Sequence, residues 1–243
     1  AGMALHGLPD GRRVLRAAMS AEQLARHFGI DPAEAMRRLK AAQTALREQR
    51  SRRPRPAADD LAVAGWSGLA ISALARVGRV FEDPELIATA RRAASWLMSH
   101  LWDPTVRCLH RCERGNGWVP AFAEDYAAVI RALLDLYEAD YDPEWLRAAR
   151  EIQAAMDQRL WDPATSQYRR ADLADGPPVM PEETDELTLP SSAALTVHNL
   201  MRFWLLLETP ADRDRLDALL GAAAAKVICA PELYPALLDA ATA

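Results

Sequence analysis

The chain has 243 residues, half of them apolar, and a formal net charge of −5, so it is long and apolar enough to bury a substantial core. No stretch approaches the roughly 18 apolar, charge-free residues that a membrane helix needs, and no signal-peptide pattern opens the chain, so no membrane partner is expected. Three cysteines make no even disulfide framework, so a reducing, cytoplasmic setting is expected. Charge is unevenly spread. Residues 1–56 carry twelve Lys/Arg against five Asp/Glu, a net of +7, which leaves −12 for the remainder. That balance argues against nonspecific nucleic-acid binding by the whole chain, though not by its basic first quarter. The first residue is Ala rather than Met, which suggests a fragment or a processed chain.

Residues 1–18 show no clear periodicity. Ser20-x-x-Gln23 reads as a capping box that starts a helix, which Gly29 should stop. Asp31-Pro32-x-Glu34 then combines an N-cap, a proline at the first helical position and a second capping box, and apolar residues at helical spacing run to about Gln49. The two helices resemble a helix-turn-helix, but the second has few of the Asn, Gln and Ser side chains that read base edges, so no nucleic acid is expected as a partner. Pro54 and Pro56 close this segment.

From Trp66 onward the chain repeats itself. Asp83-Pro84-Glu85 is answered by Asp142-Pro143-Glu144, and Leu101-Trp102-Asp103-Pro104 by Leu160-Trp161-Asp162-Pro163, each 59 residues on. Each unit predicts a helix (66–80, 126–138), a short Asp-Pro turn, a second helix (84–101, 143–160) and a long loop. A third, looser unit runs 191–207 and 213–225 around Thr209-Pro210. Strands are nearly absent, the β-like pieces being 107–112 and 167–170. Such a period describes an array of α-hairpins in which neighbours bury one another's faces. Short turns make the helices of a pair antiparallel neighbours. The long loops then fall on one face, together with the N-termini of each pair's first helix.

Acidic clusters sit at those equivalent N-termini: Asp59-Asp60, Glu124-Asp125 and Asp185-Glu186, the last just ahead of Ser191. Converging carboxylates can bind sugar hydroxyls or act as acid and base, and Trp66, Trp118 and Tyr126 supply rings on which a sugar can stack. The competing explanation is that acids simply favour helix N-termini, through capping and the helix dipole. Cys108-Leu-His-Arg-Cys112 places three potential zinc ligands in five residues, but no second cluster supplies a fourth, so no metal is expected.

Arg50-x-x-Arg53-x-x-Pro56-x-x-Asp59-Asp60, then Trp66-x-Gly68-Leu69, Phe81-x-Asp83, Glu124-Asp125-Tyr126-Ala127 and Trp145-Leu146 together resemble a signature of thioredoxin-domain-containing proteins of the spermatogenesis-associated-protein-20 type. The resemblance covers most of the chain. It implies a helical toroid similar to the N-acylglucosamine 2-epimerases and six-hairpin glycosidases, with a thioredoxin-like domain upstream in the full-length protein. The family's Trp-Asn-Gly is here Trp66-Ser67-Gly68, and its Pro-Ser-Gly-Asn-Ser is Pro190-Ser191-Ser192-Ala193-Ala194. Those losses of hydrogen-bonding groups argue against retained catalysis.

The expected architecture is therefore all-α: a basic helical segment over residues 1–56 and, over 57–243, a partial (α/α) toroid of about three helix pairs. Its expected ligand is a sugar-like or other polar small molecule. Asp59, Asp60 and Asp125 are the candidate acid/base or hydroxyl-binding groups, and Trp66, Trp118, Glu124, Tyr126 and Ser191 the further binding residues. No cofactor is expected. The alternative is a non-catalytic scaffold that docks a thioredoxin-like redox domain or another partner through an exposed apolar surface.

Overall fold

A computed structural model describes residues 3–7, 13–56, 60–114, 117–172, 186 and 189–242. The chain divides into two compact units, Ala1–Asp59 and Asp60–Ala243. The first contains an antiparallel hairpin of β1 (Met3–Gly7) and β2 (Arg13–Ala17), followed by α1 (Ala21–Phe28) and α2 (Pro32–Ser51). The hairpin lies where the sequence shows no periodicity. α1 begins on the Ser20/Gln23 capping box and ends on Gly29 at φ +62°, a left-handed position that glycine adopts without a Cβ clash. α2 begins on Asp31, whose carboxylate accepts from the Ala33 and Glu34 N–H groups.

The second unit is built from α-hairpins: α3 (Ala64–Val80) with α4 (Pro84–His100), α5 (Ala123–Asp140) with α6 (Pro143–Leu160), and α7 (Ser192–Leu207) with α8 (Pro210–Cys229). All three turns use one device. Within two residues of its end the first helix is followed by a left-handed residue, Glu82, Tyr141 or Glu208. The next residue, Asp83, Asp142 or Thr209, is the N-cap of the second helix, whose first position is proline. The chain therefore reverses within three residues, and each pair packs antiparallel.

Short strands follow the first two pairs. β3 (Trp102–Asp103), β4 (Cys108–Arg114) and β5 (Gly117–Pro120) form one antiparallel sheet, and β6 (Trp161–Asp162) and β7 (Gln167–Tyr168) form another. The repeat persists here, since Trp102 pairs with Leu109 and Trp161 with Tyr168, both 59 residues on. Asp103 and Asp162 close their turns by accepting backbone N–H groups two residues ahead.

The first helices of the pairs form an inner layer. Gly65 meets Asp125 and Ser72 meets Asp135, so α3 and α5 run parallel; Asn199 bonds the Ala127 carbonyl and Arg202 bonds Glu138, so α7 continues in the same sense. α5 is the middle helix and is buried almost continuously from Ala123 to Leu136, which is why it lacks a clean polar face. A Cβ at Gly68 would stand 2.8 Å from the Ala128 backbone, so glycine sets the close approach of α3 to α5. The main core contains Ile71, Leu97, Leu101, Tyr126, Ile130, Leu133, Ile152 and Met156. A second cluster joins Val197 and Leu200 of α7 to Leu216 of α8 and Leu237 of α9 (Pro235–Thr242). The sequence reading stopped short of α9, which packs on α7 as a further inner-layer helix.

Candidate functional site

The repeat-equivalent acids have different surroundings. Asp125 is only 1% exposed. Its Oδ1 accepts the Gly65 N–H of α3 at 3.0 Å, and its Oδ2 accepts the Phe122 N–H at 3.0 Å and Arg111 Nη1 at 2.7 Å. One carboxylate thereby caps α5, ties it to the start of α3 and neutralises an arginine. Burial pushes the Asp125 carboxyl above its ordinary range, and the Phe122 N–H and the Arg111 guanidinium oppose that rise. Gly65 admits the contact, because a Cβ there would lie 2.6 Å from Oδ1.

Glu124, one residue earlier, is half-buried at the same helix start. Its Oε1 meets Arg170 Nη2 at 3.2 Å and Arg111 Nη1 at 3.6 Å, while its Oε2 is buried and has no hydrogen-bond partner. The two guanidiniums also lie over the Phe122 ring, at 5.0 and 5.7 Å. Arg111 reaches this place because the β4/β5 register slips between His110 and Cys112, leaving it as the extra residue of a bulge. The same hairpin presents Trp118, 47% exposed and stacked on His110 with ring centroids 5.1 Å apart. Burial holds His110 below its ordinary value, with Asp103 pulling up and Arg159 pushing down.

The other expected site residues divide. Trp66 is 60% exposed and directly follows Gly65, whose N–H bonds Asp125. Asp60 is exposed, and Asp59 and Asp185 lie outside the described residues. Tyr126 is 1% exposed and its hydroxyl accepts the Leu109 N–H at 3.1 Å, so it is part of the core and not a stacking platform. Ser191 caps α7 and donates to buried Glu186, which also accepts the Ala236 and Leu237 N–H groups at the start of α9. Asp125 and Glu186 are thus each engaged in holding two helix starts. The residues missed from the sequence are Arg111, Arg170 and Phe122. A signal for two of them was present, since Arg111 and Arg170 are also 59 residues apart.

A cavity of about 490 Å³ opens elsewhere, on the concave face of the inner layer, and none of the expected site residues lines it. Among the described residues no group of three His, Cys, Asp or Glu side chains is placed to hold a metal ion, and no helix is long and apolar enough to cross a membrane. Cys108 and Cys112 are both buried in β4.

Parallel inner helices, antiparallel outer helices and loop hairpins gathered at the inner N-termini define an (α/α) toroid of the six-hairpin glycosidase and epimerase type. Two solved structures share the fold. A GH76 alpha-mannanase from Bacteroides thetaiotaomicron superposes with a TM-score of 0.59 at 16% identity, covering 70% of this chain and 46% of that one. The cellobiose 2-epimerase from Spirochaeta thermophila gives 0.55 at 18%, covering 67% and 43%. In sequence, the chain is homologous to human spermatogenesis-associated protein 20, with 33% identity over 206 residues, 79% of this chain and 26% of the human protein. The chain therefore spans about a quarter of the length of that relative. No family model matches the sequence.

Proposed function

We propose that this domain binds a hydroxyl-rich, sugar-like small molecule at the N-terminal rim of the inner helices, around Glu124, Arg111 and Arg170, without catalysing a reaction there. The observation that carries the reading is the Glu124 carboxylate. Oε1 is fixed between two guanidiniums and Oε2 is a buried acceptor with nothing to accept from. A ligand hydroxyl satisfies such an acceptor, and leaving one unsatisfied costs about 1–3 kcal/mol. Trp118 and Trp66 are exposed and offer stacking faces, while Asp125 positions Arg111 and does not touch ligand. The fold shared with carbohydrate-processing toroids supports the ligand class as an analogy.

The test is a thermal melt with and without neutral sugars and amino sugars, repeated on Glu124→Gln and Trp118→Ala. A ligand specific for the folded state must raise the midpoint. A rise that both variants lose supports the rim site; midpoints indifferent to every sugar sink it.

A second reading has an observation of its own. The end of α3 exposes Val77, Val80 and, just beyond it, Phe81, the last at 75% exposure. This is the apolar surface expected of a scaffold that docks a thioredoxin-like domain. Binding of such a domain that Val80→Ser with Phe81→Ser abolishes would favour it; binding unchanged by the pair would remove it.

A further inference from the structure

The concave cavity is built independently of the rim. Its walls come from α3, α5, α7 and α9, and its chemistry is dominated by Arg76 and Arg79 of α3, Arg131 of α5, and His198 and Arg202 of α7. Two of these arginines are already matched. Arg202 meets Asp135 Oδ1 at 2.9 Å and Glu138 Oε1 at 2.7 Å, and Arg79 pairs with Glu138 as well. Asp135 also accepts the Ser72 hydroxyl. These contacts use up the carboxylates of α5 and fasten the three inner helices together.

Arg131 and Arg76 are left over. The only carboxylate within 4 Å of Arg131, among the described residues, is the shared Asp135, at 3.9 Å. Arg76, also on the cavity wall, forms no ion pair among the described residues. Two other half-buried arginines of this unit have close carboxylates, Arg111 with Asp125 at 2.7 Å and Arg150 with Asp212 at 2.8 Å, while Arg215 meets Asp157 only at 3.5 Å. A partly buried guanidinium without a close counter-charge is costly, and an anion that fits its fork relieves that cost. Burial and the neighbouring Arg76 and Arg202 also weaken the hold of Arg131 on its own proton, with Asp135 opposing.

We propose that the concave cavity is an anion-binding site in which Arg131 and Arg76 receive the phosphate or carboxylate group of a small ligand. The volume of about 490 Å³ suits a ligand of sugar size, and Arg202, Asp135 and Glu138 form the fixed frame on which Arg131 is presented. His198 reports on the site. It faces Arg131 of α5, Arg202 of α7 and Asp239 of α9, the last at 3.5 Å, and burial and then Arg131 hold it below its ordinary value. An anion beside Arg131 would let it rise.

The experiment is isothermal titration of the 243-residue chain with inorganic phosphate and, separately, malonate, at low ionic strength so that screening does not mask the effect. Wild type, Arg131→Gln, Arg76→Gln and the rim variant Glu124→Gln are compared. Saturable binding of either anion is expected, at least tenfold weaker in one or both arginine variants and unchanged in Glu124→Gln; which anion binds tells a phosphoryl from a carboxylate ligand. The His198 imidazole resonance should titrate at higher pH once the anion is bound. Arg76 is exposed and its substitution should leave the fold intact, so it carries the test if Arg131→Gln fails to fold. Absence of saturable binding, wild-type affinity in both arginine variants, or a His198 titration unmoved by bound anion would each overturn the proposal.

Discussion

The rim around Asp125 and the concave cavity around Arg131 lie on the same inner helices, yet their charges are settled in opposite ways. At the rim the buried carboxylate is oversupplied with donors: two backbone N–H groups and an arginine converge on it. In the cavity the carboxylates are undersupplied, and Arg131 must share Asp135 with Arg202. A charge whose partners are complete holds structure, and a charge whose partners are incomplete is available to a ligand. By that criterion Asp125 is architecture, while Glu124 Oε2 and Arg131 are the places to look for binding.

The comparison breaks most directly at Asp125. Asp125→Ala leaves Arg111 only the 3.6 Å contact with Glu124 and takes the acceptor from the Gly65 and Phe122 N–H groups, and removing one partner of a buried pair costs about 3–5 kcal/mol, read as a lower midpoint in urea at unchanged slope. Loss of less than about 1 kcal/mol would return Asp125 to the list of ligand-binding groups. Gly68→Ala should cost about 1–3 kcal/mol, because the added methyl meets the Ala128 backbone and α3 must move away from α5. A neutral result there would mean that the inner layer is loosely packed. Ser191→Ala removes a cap from α7 and the hydroxyl that meets Glu186, and about 1 kcal/mol of stability should go with it.

The smallest effect is in pH. His110 and His198 are both held below the ordinary value of 6.5 by burial, so the folded state binds fewer protons than the unfolded chain. Their contribution is complete above pH 6.5 and is lost as the pH falls below it. Asp125, with its carboxyl raised, acts in the opposite direction at lower pH: its protonation favours the folded state as the pH falls from its raised value towards 3.8. The thermal midpoint should therefore fall from pH 7 to 5.5, and His198→Gln should flatten part of that fall. A midpoint that rises over this range would contradict the burial of both imidazoles.

What the sequence determined by itself is everything set by near neighbours. The α-hairpins, their Asp-Pro and Thr-Pro reversals, the Asp103 and Asp162 turns and the 59-residue period were all legible, because caps, proline and turn chemistry act within about four residues. The toroid followed from a motif resemblance and not from periodicity alone. The hairpin β1/β2 and the helix α9 were not legible: the first has no periodic signal, and the second is short and is held by Leu237 packing on α7. The site was least legible. Glu124-Asp125 was found as a pair, but the pair divides into one buried bridge and one incompletely paired acid only when Gly65, sixty residues earlier, donates to Asp125. Arg131 reads as an ordinary surface arginine until α3, α7 and α9 close around it. Burial and the count of partners decide what a charged side chain does, and both are set by residues far away in the chain.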